Sequence, residues 1–70
     1  MKGEYTAIIQ HTDKWWIGWV EEIPGVNSQG KTREELLENL RSALQEMLEI
    51  NRAEARAAAN GAYEVESIQL

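Results

Sequence analysis

The 70-residue chain has no cysteine and no phenylalanine, one proline and one histidine. Without cysteine there is no disulfide, no thiolate zinc site and no cysteine nucleophile. A lone histidine, His11, excludes a multi-histidine metal site. Basic residues are also scarce. Seven Lys and Arg stand against twelve Asp and Glu, a formal charge of −5. Phosphate contacts need clustered basic side chains, so direct nucleic-acid binding is not expected. No apolar run approaches the 18 residues of a membrane span, and Met1-Lys2-Gly3-Glu4 leads into no leader-like apolar core. A cytoplasmic location is expected, with no cofactor and no membrane partner.

These absences matter because the chain is short. At this size a single domain over residues 1–70 is expected, burying only about 60% of its unfolded surface. Such domains are marginal unless stapled, and with disulfides and metals excluded the remaining staple is self-association. A homo-oligomer is therefore expected. The acidic balance suits a basic protein partner, with charge steering the encounter; alternatively it serves solubility alone.

Tyr5 to His11 is short and rich in β-formers, which predicts a first strand. Thr12-Asp13-Lys14 has hairpin-turn chemistry, and Trp15 to Glu22 follows as a second strand. Pro24-Gly25 interrupts, and Val26 to Gln29 predicts a brief third strand ending at Gly30. Thr32-Arg33-Glu34-Glu35 then fits a capping box, Thr32 accepting from the Glu35 amide and Glu35 reaching back to the helix start. Leu36, Leu37, Leu40, Ala43, Leu44, Met47 and Leu48 recur at spacings of three and four, one apolar stripe of a helix. The alanine-rich stretch from Ala53 extends that helix to Ala59, where Asn60-Gly61 is the natural terminator. A helix from Arg33 to Ala59 is about 40 Å long, nearly twice the reach of a six-residue strand. It must overhang the sheet or bend beyond Ile50. Tyr63 to Leu70 predicts a last strand with a change of face near Glu66-Ser67.

The expected class is α+β in the order β-β-β-α-β. A right-handed crossover puts the fourth strand beside the first, giving sheet order 3-2-1-4 with one helix on one face.

Three tryptophans lie within five residues. Strand alternation places Trp15, Ile17 and Trp19 on one face and Trp16 with Val20 on the other. One helix covers one face of a small sheet, so large aromatics are left for solvent or a partner. Tryptophan at that density marks a protein interface, unless twist and edge loops bury all three. With the adjoining acids, the protein-interface candidates are Trp15, Trp16, Trp19, Glu21 and Glu22. Consecutive carboxylates on a strand face opposite ways, so Glu21 and Glu22 do not share a metal. Glu64 and Glu66 share a face but lack further ligands. His11, beside a turn, reads as a surface residue. Gly25-Val26-Asn27-Ser28-Gln29-Gly30-Lys31-Thr32 satisfies the letter of the phosphate-loop pattern. That loop needs a buried parallel strand before it and a nucleotide-sized domain around it, and the chain offers neither.

The stretch from Gly18 to Leu36 resembles the HicB family of antitoxins. Pro24-Gly25 matches the family's turn, Gly30 and Thr32 its "G-x-T", and Glu35 the acid that follows. Glu21 stands where the turn's first proline is usual, and Val26 where cysteine is frequent. The resemblance implies a β-β-β-α-β, partial ribonuclease-H-like domain. It also implies a non-enzymatic role: neutralising a small basic, mRNA-cleaving HicA-type toxin by covering its active surface. No segment for a separate DNA-binding module follows Leu70, so operator binding is not expected. Two alternatives accompany this reading, an orphan self-associating binding module and a metal-dependent nuclease. The latter needs about four carboxylates around two metals, and the inward-facing aspartates of that arrangement are missing.

Overall fold

A computed structural model describes residues 4–70; the leader reading of Met1 to Gly3 lies outside them. The protein is α+β, with β1 (Ala7–His11), β2 (Trp16–Val20), β3 (Asn27–Gly30) and α1 (Arg33–Ala57). The strands form an antiparallel meander ordered β1-β2-β3. β1 and β2 are shorter than their sequence signals, and β3 has the expected four residues, moved one position on. The ladder nevertheless continues past β1 and β2, because Glu21 N–H donates to the Thr6 carbonyl at 2.8 Å.

Both turns follow from their residues. Thr12 closes the first hairpin, its N–H and hydroxyl both donating to the Trp15 carbonyl. In the second, Val26 N–H donates to the Ile23 carbonyl, and Gly25 between them takes φ +91°. Proline followed by a positive-φ residue is the signature of a type II turn, and glycine is the residue for that second position.

The register gives each face its rows. Ala7 pairs with Val20, Ile9 with Gly18 and His11 with Trp16 on one face; Ile8 pairs with Trp19 and Gln10 with Ile17 on the other. Helix α1 lies on the first of these. Its buried Leu36 and Leu40 form the core with Val20 and Val26, and Ile9, Trp16, Ile23, Leu37, Ala43, Leu44 and Met47 pack around them. Gly18 and Gly30 permit the close approach. A Cβ on Gly18 would stand 2.8 Å from the Ile8 carbonyl oxygen, and one on Gly30 would stand 2.6 Å from the Leu36 nitrogen.

The helix start differs from the expected capping box in one bond. Thr32 Oγ1 accepts from Glu35 N–H at 3.0 Å, as expected, but the Glu35 carboxylate accepts from Lys31 N–H, one residue before the cap. At the other end the cap is Ala58 in right-handed helical geometry, not Asn60-Gly61. Gly61 takes a positive φ of 102° just beyond. Of the two outcomes expected past Ile50, the structure takes the overhang. The helix is continuous to Ala57, and every residue from Glu49 onward is exposed.

The expected fourth strand is absent from this structure. Tyr63 to Leu70 forms no ladder and is exposed along its length, so Glu64 and Glu66 have no strand face to share. The sheet order is the 3-2-1 portion of the expected order. A strand forms only where a neighbour takes its backbone hydrogen bonds, and α1 carries the chain well past the sheet before the segment begins.

Candidate interaction face

The sheet face turned away from α1 is apolar at its centre, with neutral amides beside it in the paired rows. Two rows cross it: Ile8, Trp19 and Asn27 in one, Gln10, Ile17 and Gln29 in the other. Trp15, one residue before β2, follows the same alternation. Trp19 is 41% exposed, Trp15 40% and Ile8 36%, while Ile17 is half-buried. Neither row holds a charged side chain. Such a surface offers van der Waals contact from two indoles and two isoleucines, with amides from Gln10, Asn27 and Gln29 to orient a partner. It holds no nucleophile beside a base.

Of the five residues singled out from the sequence, the structure puts Trp15 and Trp19 on this face and separates Trp16 from them. Trp16 is half-buried on the helix side and stacks on His11, ring centroids 4.3 Å apart and planes 5° from parallel. The two are cross-strand partners, so the stack is a sheet pair rather than a free aromatic surface. His11 is thereby an aromatic platform as well as an exposed residue.

Glu21 and Glu22 diverge. Glu21 follows Trp19 in the alternation and sits exposed at the end of the open face. Glu22 is tied back to the start of β1, accepting from Thr6 N–H at 2.8 Å. Bonds from the Thr6 hydroxyl and then the Thr6 N–H hold its carboxyl below the ordinary 4.5. Hydrogen bonds to the charged form are the cause, because they favour the carboxylate.

Sequence reading missed two features. Ile8 joins the open face because the hairpin register sets it opposite Trp19; the alternation Ile8-Gln10 was the available signal. The second is a groove of about 270 Å³ between β1 and α1, lined by Tyr5, Ala7, Val20, Leu37, Leu40, Arg41 and Leu44. Only the packing of α1 on the sheet shows that Arg41 borders an apolar trough.

The phosphate-loop pattern does not form a loop. Between Gly25 and Lys31 the chain runs as antiparallel strand β3, whose alternate backbone groups are taken by β2. Among the described residues no group of three His, Cys, Asp or Glu is placed to hold a metal ion, and no helix is long and apolar enough to cross a membrane. Comparison with protein-family models, curated proteins and solved structures returns no match.

Proposed function

We propose that this chain works by binding rather than catalysis, as a cytoplasmic HicB-like antitoxin domain that occludes the RNA-binding face of a small basic HicA-type toxin. The observation that carries this is the open sheet face, where Trp15, Trp19 and Ile8 stand exposed around Ile17 with no helix to cover them. Tryptophan is enriched among residues that dominate binding energy. A chain of charge −5 complements a basic surface, and Glu21 borders the aromatic face. The motif residues also have physical roles that suit the resemblance: Pro24-Gly25 makes the turn, Gly30 admits the helix start and Thr32 caps it. The finer layout, a fourth strand of Tyr63–Leu70 beside β1 in a partial ribonuclease-H-like order, belongs to this reading.

Calorimetry with the toxin-like protein encoded beside the gene tests it. Binding is expected at low salt. Trp19→Glu is expected to weaken it by 2 kcal/mol or more, about thirtyfold, as for a central interface aromatic. Arg52→Ala, on the overhanging helix, should leave it unchanged. Absence of binding at low salt, or a Trp19→Glu chain that binds like the parent, would overturn the proposal. An orphan self-associating module is the second reading, favoured by Ile50 and by Tyr63, Val65, Ile68 and Leu70, which lie exposed in addition to the tryptophan face.

A further inference from the structure

We infer that the Trp19 end of the open sheet face receives an arginine of the protein partner, its guanidinium laid on the Trp19 indole and paired with the Glu21 carboxylate. The inference rests on the reading above, that this face binds a basic protein, and names the side chain it selects. Strand alternation puts Trp19 and Glu21 on one face, two positions and about 7 Å apart along the chain. The ladder holds that parity one step past β2, where Glu21 N–H donates to the Thr6 carbonyl at 2.8 Å. Glu21 is exposed, and among the described residues no group hydrogen-bonds to its carboxylate. Glu22 is not its equivalent, because its carboxylate already accepts from Thr6 N–H.

The two indoles stand beside opposite charges. Glu21 lies just beyond the neutral rows, next to Trp19. At the other end Trp15 follows Lys14 in the chain, and Lys31 takes the register position across from it, one step beyond the Trp16–Gly30 pair. With Asp13 in the same turn, the balance at that end is one positive charge. Trp19 and Trp15 are exposed alike, 41% and 40%, so exposure does not distinguish them and charge does. A cation is attracted by the face of an indole; the carboxylate reinforces that at Trp19, and the lysines oppose it at Trp15.

Arginine suits the Trp19 end better than lysine. Its planar guanidinium stacks on an indole while the edge of the same plane presents an N–H fork to a carboxylate. An ammonium is a compact, strongly hydrated charge with no plane to stack. Ile8 pairs directly across from Trp19 and is 36% exposed, which gives the methylene stem of an incoming side chain an apolar strip to lie on.

NMR titration of the full, isotopically labelled chain with Ac-Ala-Arg-Ala-NH2 and with Ac-Ala-Lys-Ala-NH2 tests this. Both peptides carry one positive charge, so a surface that merely attracts cations treats them alike. The arginine peptide is expected to shift the Trp19 indole N–H and the Glu21 amide, and to bind roughly two- to fivefold tighter than the lysine peptide. Glu21→Gln should weaken the arginine peptide by a similar factor, and Trp19→Leu should abolish the preference for arginine; neither residue belongs to the core. Equal affinities for the two peptides, parent-like binding in E21Q, or shifts centred on Trp15 would each overturn the inference. No toxin enters the titration, so the two readings fail separately. A chain that binds a toxin but shows no arginine preference keeps the antitoxin reading and loses this inference; arginine selected at Trp19 by a chain that binds no toxin does the reverse.

Discussion

A Cβ built on Gly30 would lie 2.6 Å from the Leu36 nitrogen and 3.0 Å from the Glu35 carbonyl carbon. Both neighbours are backbone, so neither can rotate aside. Gly30→Ala must push the first turn of α1 off the sheet, at a cost of about 1–3 kcal/mol typical of overpacking. Urea denaturation should show the midpoint falling by the corresponding amount; an unchanged midpoint would mean that the helix start is not held where it is described. Glu22 makes a different demand at the same scale. Its carboxyl titrates below the ordinary 4.5 because the Thr6 hydroxyl and N–H stabilise the charged form. A lowered folded value contributes stability that is complete above 4.5 and lost as pH falls through the folded value. NMR titration should place the Glu22 inflection below 4.5, and Thr6→Ala, which keeps the N–H bond and removes the hydroxyl, should move it part of the way back. An inflection at the ordinary value in the parent chain would contradict the contact.

Among the elements, α1 is held firmly at one end and not at all at the other. Thr32 caps its first turn, Glu34 and Glu35 meet the positive end of its dipole, and Leu36 and Leu40 anchor it within two turns of the start. Beyond Leu48 every residue is exposed and the helix rests largely on the propensity of its alanines. Thr32→Ala should therefore act on the anchored end, removing a cap worth about 1 kcal/mol, and lower the denaturation midpoint by that amount. Circular dichroism at low temperature should change little, because the helix stays docked until global unfolding. A large loss of helical signal without a shift in midpoint would mean that the cap governs fraying rather than stability. Element types and order were largely legible here. The Thr32 cap, the three–four spacing from Leu36 to Leu48 and the Pro24-Gly25 turn are local signals, set by residues a few positions apart. Strand ends were less so. Tyr5 and Glu22 have strand-like neighbours, but pairing ends where the sheet runs out of partners.

At the scale of the whole molecule the excess surface is the main fact. The radius of gyration is 15.3 Å and the longest dimension 51 Å, where a compact chain of this length would have a radius near 11 Å. The accessible surface of 6118 Å² likewise exceeds the roughly 4,500 Å² of a compact 8 kDa protein. Exposed large apolar side chains lie in three places: Ile8, Trp15 and Trp19 on the open sheet face, Ile50 on the overhang of α1, and Tyr63, Val65, Ile68 and Leu70 beyond it. The first carries the proposed partner surface. The sequence by itself determined which tryptophans share a face, because alternation along a strand leaves Trp15 and Trp19 together and Trp16 opposite wherever the strand lies, whereas which face α1 covers was decided by the tertiary structure. It also determined the helix start, through hydrogen bonds within one turn. Only the tertiary structure decided that Trp16 stacks on His11, that Ile8 joins Trp19, that Arg41 borders a groove, and that Tyr63–Leu70 finds no place in its own sheet. Those outcomes depend on register across the hairpin, on the angle at which α1 crosses the strands, and on the distance an unbroken helix carries the chain before it can turn back.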